Sequence, residues 1–307
     1  RWADVVHFLV PFALSKHGAE LCRKRGVPYT AAFHVQPENI SSSLHMGKIE
    51  GINNLIYRWF RWYFYRYIKC VHCPSRFIAE ELVQHGYDND IHVISNGIDP
   101  DFVYAKQEKR QRLAGTFTIL SVGRYSIEKR QDVLIDAVKA SRYSDRIQVV
   151  LAGKGPREKK LRRRARGLAN PIIMEFFSKD ELLDIMAESD LYVHCADAEI
   201  EAMACMEAFA RGLVPVIADS AKSATPQFAL TDKSLFRQGD PADLAKHIDY
   251  FIEHESERRE WEKKYAASAD RYRLDRCVFR AEEMFRAAIA EKEQEELGVF
   301  EGHDYSW

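Results

Sequence analysis

The sequence predicts an α/β protein with two parallel-sheet domains, and three observations carry that reading. Short β-branched runs alternate with amphipathic helical stretches from Val5 to Ile94. A second alternating series starts at Phe117. The stretch between the two, Ile98 to Arg112, is polar, charged and poor in period, as an inter-domain linker is. With 307 residues the chain is long enough for two domains of ordinary size. The expected segments are 1–100, 101–274 and a closing stretch 275–307.

In the first domain, Val5 to Phe8 reads as a strand and Phe12 to Arg25 as a helix stopped by Gly26. Tyr29 to Phe33 is a second strand, ending at His34. Ligands of open α/β sheets bind beyond the carboxyl ends of strands, so His34 stands at a functional address; it reads equally as a loop histidine bonded locally. Gln36 to Lys48 is polar and reads as a loop. Ile56 to Lys69 reads as one helix with Tyr57, Phe60, Phe64 and Ile68 on a stripe and Arg58, Arg61 and Lys69 near the other side. Trp59, Trp62 and Tyr63 are left over. Aromatics beside arginines suit an anionic bilayer surface, or they pack against the domain's own loops. Val71 to Cys73 is a short strand, Ser75 the N-cap of a helix over Arg76 to Gln84, and Ile91 to Ile94 the next strand.

The second domain opens with the strand Phe117 to Val122, then Gly123-Arg124, a helix from Arg130 to Ser141, and the strand Gln148 to Ala152. Gly153-Lys154-Gly155-Pro156 follows. That loop and the helix after it (154–166) carry eight basic residues, a solvated face or a contact for an anionic membrane. Ile172 to Phe176 is a strand, Ser178-x-x-Glu181 a capping box, and Leu191 to Cys195 a buried strand. The stretch Ala198 to Ala218 then gives a loop with Glu199, a helix with Glu207, a stop at Gly212 and the buried strand Val214 to Ile217. Asp240-Pro241 opens a further helix. Two more helical patterns close the chain, the last near Arg276 to Lys292, ahead of an acidic tail beyond Glu293.

Composition narrows the partners without naming one. The net charge of −1 argues against a general nucleic-acid surface, and no apolar run of about eighteen residues offers a membrane span. The six cysteines lie mostly in apolar segments, which fits a reducing cytoplasm. Cys70-x-x-Cys73 has zinc-like spacing and encloses His72, but no second pair follows, so no metal site is expected.

A nucleotide diphosphate needs cations, donors for phosphate oxygens, and acceptors for ribose hydroxyls. Arg124 follows a strand and a glycine, and Lys129 stands at the start of the next helix, so both reach one anion at the strand ends. Glu207 lies eight residues after Glu199, about two helical turns, so the two carboxylates address one ligand from neighbouring positions.

Taken together, Ser121-Val122-Gly123-Arg124-Tyr125-Ser126-Ile127-Glu128-Lys129, Leu151-Ala152-Gly153-Lys154-Gly155-Pro156, Glu199-x7-Glu207 and Gly212-Leu213-Val214-Pro215-Val216 resemble the nucleotide-sugar half of family 4 retaining glycosyltransferases of the GT-B fold. The first half fits too, in Asp4 to His7, Pro28 to His34, Pro74-Ser75 and Ser95 to Asp99. The resemblance implies two Rossmann-like domains facing across a cleft, the donor bound mainly by the second and the acceptor by the first. The final helix then crosses back to the first domain. Carried over by motif match, Arg124 and Lys129 hold the diphosphate beside Gly123. Phe176 and Phe177 border the nucleobase, Glu199 reads the sugar and Glu207 the ribose. His34 stands at the sugar end. A nucleotide diphosphate sugar, a UDP-sugar by preference, is the implied donor of a hexose, with no obligatory cofactor or metal. The family opens with a strand and a glycine-rich loop that are expected ahead of Arg1 and are not in this sequence.

The sequence also departs from the family. Glu201 and Ala202 stand where an aromatic and a glycine are usual, and Glu175 replaces a common glycine. Glu201 is expected to set negative charge near phosphate unless it turns away. His34-x-x-Pro37-Glu38, the aromatic-basic helix (56–69) and the basic cluster resemble the branch that glycosylates membrane lipids such as diacylglycerol. That resemblance implies a lipid or cell-envelope glycan acceptor and a cytoplasmic protein peripheral to the inner face of the plasma membrane. The alternative is a GT-B-like protein that binds nucleotide sugar, membrane or polysaccharide without turnover.

Overall fold

The computed structural model describes residues 2–43, 51–105 and 115–296. The chain forms two compact units, Arg1–Gly97 with Asp275–Trp307, and Ile98–Leu274. The end of the expected loop at Lys48, the linker from 106 to 112 and the acidic tail past Glu296 lie outside the described residues.

Unit 1 holds a four-stranded parallel sheet in sequential order: β1 (Val6–Phe8), β2 (Tyr29–Ala32), β3 (Cys70–Cys73) and β4 (Asp90–Val93). Its helices are α1 (Ala13–Lys24), α2 (Pro37–Ser43), α3 (Ile52–Tyr63) and α4 (Arg76–Gln84), joined later by the end of the chain. The stretch read as a loop after His34 contains α2. Pro37 presets its first turn, and the Asn39 and Ile40 amides donate to the Gln36 carbonyl.

The single helix expected to Lys69 stops at Tyr63, and a 3₁₀ turn over Tyr65–Tyr67 leads into β3. Burial explains the break. Tyr65 is fully buried, its hydroxyl donates to the Ala32 carbonyl at 2.8 Å, and the Asn89 amide donates to the Tyr65 carbonyl at 2.8 Å. These bonds replace the ones a continuing helix would make. The stripe Tyr57, Phe60, Phe64 and Ile68 is core, with Phe33 stacked on Tyr57 at 5.9 Å, whereas Trp59 and Trp62 stay exposed.

Unit 2 carries a six-stranded parallel sheet from β5 (Phe117–Val122), β6 (Ile147–Ala152), β7 (Ile173–Glu175), β8 (Leu191–His194), β9 (Val214–Asp219) and β10 (Leu235–Arg237). Spatial order is β10-β9-β8-β5-β6-β7. Its helices are α5 (Gln131–Ala140), α6 (Glu158–Arg164), α7 (Lys179–Glu188), α8 (Met203–Ala210), α9 (Pro241–Glu253) and α10 (Glu255–Ser268). Helix α11 (Leu274–Glu296) starts at the boundary, and its Cys277 and Met284 pack on Ile94 of unit 1. Strand β10 adds an edge that the sequence pattern does not mark, held by pairing Leu235 with Ile217.

One further difference has a plain cause. The start of the expected linker packs on unit 2: Ile98 donates its N–H to the Tyr272 carbonyl at 2.7 Å and Phe102 is buried. The glycine pair after β6 is a packing device. A Cβ on Gly153 would meet the Gly123 carbonyl oxygen at 2.1 Å, and one on Gly155 would meet the Tyr125 backbone at 2.6 Å. Only hydrogen at those positions lets the loops after β5 and β6 close on each other.

Candidate functional site

The order of the second sheet places a site before any side chain is considered. From β5 the chain winds outward through β6 and β7, then returns to lay β8 on the other side of β5 and continues outward through β9 and β10. Loops leaving the carboxyl ends of β5 and β8 therefore diverge, which opens the crevice where α/β sheets bind ligands. Residues 123–130 leave β5 and residues 195–202 leave β8.

Lys129 and Glu199 meet across that point, with Lys129 Nζ on Glu199 Oε1. Glu199 is only 8% exposed. Burial pushes its carboxyl up, but Lys129 and then His194 outweigh burial and hold it at about 2. The stem of Lys129 lies beside Gly123, whose φ of 153° is a backbone conformation that side-chain-bearing residues rarely adopt. Arg124, on the same loop, is exposed, and among the described residues no carboxylate pairs with its guanidinium. Its carbonyl accepts from the Gln131 side chain at 2.9 Å, which fixes the loop backbone beneath it.

Two helix starts flank the pair, and both are strained. Among the described residues only Arg130 (φ 49°) and Ala202 (φ 64°) are non-glycine residues with positive φ. They are the N-caps of α5 and α8. Such conformations persist where surrounding contacts impose them. Arg130 is gripped by Asp197 at 3.1 Å, and Asp197 donates its N–H to the Glu128 carbonyl at 2.8 Å. Ala202 has this left-handed backbone at the position where the resemblance implies a glycine. Glu201 beside it is buried at 4% exposure.

Glu207 lies on α8, half-buried; burial first and Asp99 second raise its pKa, against Lys179. At the far edge of the sheet, Phe176 follows β7 at 68% exposure with Lys154 Nζ 4.5 Å above its ring, while Phe177 packs on the core. The structure thus brings Lys129 and Glu199 into contact, keeps Arg124 on the same loop, and sets Glu207 about one turn into the following helix, because the chain from Glu199 to Ala202 is loop rather than the helical turn its spacing suggests. Phe176 and Phe177 lie at the end of another strand.

His34 belongs to unit 1 and is described there. It follows β2, half-buried, its ring 5.3 Å from His72 on β3, and His72 is 5.9 Å from His7 on β1. Burial, then the neighbouring imidazoles, lowers His7 to about 4; burial and His72 lower His34 to about 4. His72 Nε2 donates to the Ile94 carbonyl at 2.6 Å, and His7 Nδ1 bonds Thr30 Oγ1 at 2.7 Å. Among the described residues no group of three or more His, Cys, Asp or Glu is placed to hold a metal ion.

Pattern reading missed His194, Tyr192, Arg130 and Asp197. The rule that singled out His34, a side chain at the carboxyl end of a parallel strand, applies equally to His194 at the end of β8.

Residues 104–267 match the family described as glycosyl transferases group 1, and residues 1–102 match glycosyltransferase family 4. The chain belongs to the group 1 glycosyl transferases. Among curated proteins, this glycosyl transferase is 25% identical over 229 residues, 70% of its length, to the α-monoglucosyldiacylglycerol synthase of Streptococcus pneumoniae. It spans about half, 51%, of that relative. Anabaena HepE, solved in complex with UDP-glucose, superposes with a TM-score of 0.71 at 20% identity, over 95% of this chain and 79% of HepE. The match identifies the α/β GT-B fold. The catalytic domain of the Helicobacter pylori cholesterol-α-glucosyltransferase is 47% identical over 51% of this chain and 98% of that domain, with a TM-score of 0.49.

Proposed function

We propose that this chain is a retaining glycosyltransferase that moves a hexose from a UDP-sugar to a membrane lipid or a cell-envelope glycan. The observation that carries the reading is the Lys129–Glu199 pair at the switch point of the second sheet, with the exposed Arg124 on the same loop. Arg124 and Lys129 take the donor diphosphate beside Gly123, each charge-assisted bond contributing about 1.5–3 kcal/mol. Glu199 accepts from hydroxyls of the sugar and Glu207 from those of the ribose. The exposed face of Phe176, with Phe177 behind it, borders the base.

As the bond to the sugar breaks, negative charge grows on the departing UDP, and the two cations stabilise it where it develops. The acceptor hydroxyl attacks from the same face and passes its proton to the leaving phosphate, so configuration is retained. The cations supply that electrostatic role without an obligatory metal. His34, kept neutral by burial and its imidazole neighbours, suits hydrogen bonding to the sugar rather than proton donation.

Three features support a lipid acceptor and a peripheral place on the inner leaflet. The relative from S. pneumoniae is named for a glucosyldiacylglycerol. Trp59 and Trp62 are 44% and 59% exposed on α3. On and after α6, Lys159, Lys160, Arg163 and Arg166 stay exposed, while Arg157, Arg162 and Arg164 are tied to Asp132, Glu158 and Asp136. No helix among the described residues is long and apolar enough to cross a membrane.

The test is transfer by the full chain from UDP-glucose and UDP-galactose to diacylglycerol in vesicles, with the anomeric configuration of product read by NMR. An α-linked glycolipid from an α-linked donor is expected. An inverted product removes the retaining mechanism, and absence of transfer or donor hydrolysis across a panel of nucleotide sugars removes the enzymatic reading.

A further inference from the structure

Glu199 Oε1 has two neighbours, and the second lies outside the motifs that mark the donor site. His194, the last residue of β8, is 4% exposed, and its Nε2 stands 3.2 Å from Glu199 Oε1. The contact is off the direction of a formed hydrogen bond, and among the described residues Nε2 has no other hydrogen-bond partner. On the other side of the ring, Nδ1 is 3.3 Å from the Tyr192 hydroxyl.

The charges fix which way these protons face. A carboxylate only accepts, so the hydrogen of the ring belongs on Nε2, toward Glu199; Nδ1 is then the acceptor and the Tyr192 O–H must donate to it. Tyr192 is fully buried, and burial above all keeps its proton in place. The result is a directed chain from Tyr192 through His194 to Glu199. Glu199 Oε2 accepts no hydrogen bond from the described residues and stays available to a hydroxyl.

We propose that His194 is a positioning residue that holds Glu199 on the donor sugar once Lys129 is drawn away to the diphosphate. The inference rests on the donor-site reading above. Glu199 Oε1 is shared between Lys129 and His194. A diphosphate competes for Lys129, and a buried carboxylate that loses its cation needs a remaining donor to stay ionised and in place. His194 is that donor, already within reach and anchored on a central strand.

The experiment compares wild type, His194→Ala, His194→Gln and Tyr192→Phe by calorimetric binding of UDP and of UDP-glucose. UDP lacks the sugar, so its affinity should stay within about two-fold in every variant. The extra affinity for UDP-glucose over UDP should fall about ten-fold in His194→Ala and be largely restored in His194→Gln, whose amide still donates. Tyr192→Phe should lie between them. Equal weakening of UDP and UDP-glucose would make His194 a merely structural residue, and unchanged preference for UDP-glucose in His194→Ala would also overturn the inference. Nitrogen-15 NMR of the ligand-free wild type gives an independent check. The Nε2–H tautomer supports the proposal and the Nδ1–H tautomer defeats it. Wild-type protein that binds neither ligand would overturn the donor-site reading and this inference with it.

Discussion

Arg130 Nη1 lies 3.1 Å from Asp197 Oδ2, and this ion pair joins the loop that carries Lys129 to the loop that carries Glu199. Asp197 is held in turn by the Gln238 amide at 2.7 Å, and its carbonyl accepts from the Ser220 hydroxyl at 2.6 Å. The two candidate ligand-binding loops are thus fastened through Asp197. Asp197→Ala is expected to cost about 2 kcal/mol of stability and roughly ten-fold in UDP affinity, since it removes the Arg130 and Gln238 bonds and leaves Arg130 half-buried with only Asp132, at 3.7 Å, among the described carboxylates. Thermal unfolding and calorimetry measure the two effects. Normal UDP affinity in a folded Asp197→Ala protein would mean the loops are held by other contacts.

Ala202 offers a test in the opposite direction. Its φ of 64° costs an alanine about 1–2 kcal/mol, which a glycine avoids. Removing the buried methyl costs about 0.8 kcal/mol. Ala202→Gly should therefore raise stability by about 0.5 kcal/mol in denaturant unfolding, and Ala202→Val should lower it by more than about 2 kcal/mol because a β-branched residue tolerates that backbone least. A clear loss of stability in Ala202→Gly would show that methyl packing outweighs the backbone.

The same positions show how far the sequence could be read. The strand and helix periods, the capping box at Ser178 and the stop at Gly212 all depend on neighbours along the chain, and each is legible there. The end of α3 is not, because Phe64 turns onto Phe8 of β1 and Tyr65 onto Ala32 of β2, partners far away in sequence. In the candidate site, Arg124, Lys129, Glu199 and Glu207 are visible as charged residues at strand ends and spaced along a helix. Asp197 is not, since an acid in a loop gains meaning only when the sheet order sets β8 against β5, while His194 is marked in the sequence by its place at a strand end alone.

Acid should weaken the two units in different ranges. His7, His34 and His72 all have pKa values lowered in the fold, chiefly by burial, so below their ordinary value of 6.5 the unfolded chain binds protons that the folded one does not. Their contribution is present above pH 6.5 and is lost as pH falls toward about 4. Glu199 is lowered from 4.5 to about 2, so its contribution is lost only below pH 4.5. Hydrogen exchange at pH 7, 5.5 and 4.5 should show protection in β1–β3 falling first, by an amount on the order of 3 kcal/mol, with β5 and β8 holding. Protection lost first from β5 and β8 would contradict that order.

The exposed face of α3 carries the last prediction. Trp59 stacks on Tyr63 at 5.1 Å, Lys16 lies 4.8 Å from the Tyr63 ring, Arg66 lies 5.7 Å from the Trp62 ring, and Phe12 is 45% exposed against Phe60. The buried stripe of the same helix already supplies the packing of unit 1, so the two tryptophans are not needed for the core. Indole rings flanked by cations match the headgroup region of an anionic bilayer, where the ring is buried and the charge stays wet. The Trp59→Ser, Trp62→Ser double variant should fold with little change in stability and bind vesicles of anionic phospholipid roughly ten-fold more weakly than wild type. Salt should weaken the wild type further through its basic residues. Sedimentation with vesicles measures both effects. Equal binding by the double variant and wild type would move the contact away from α3, and no binding by either would end the membrane reading.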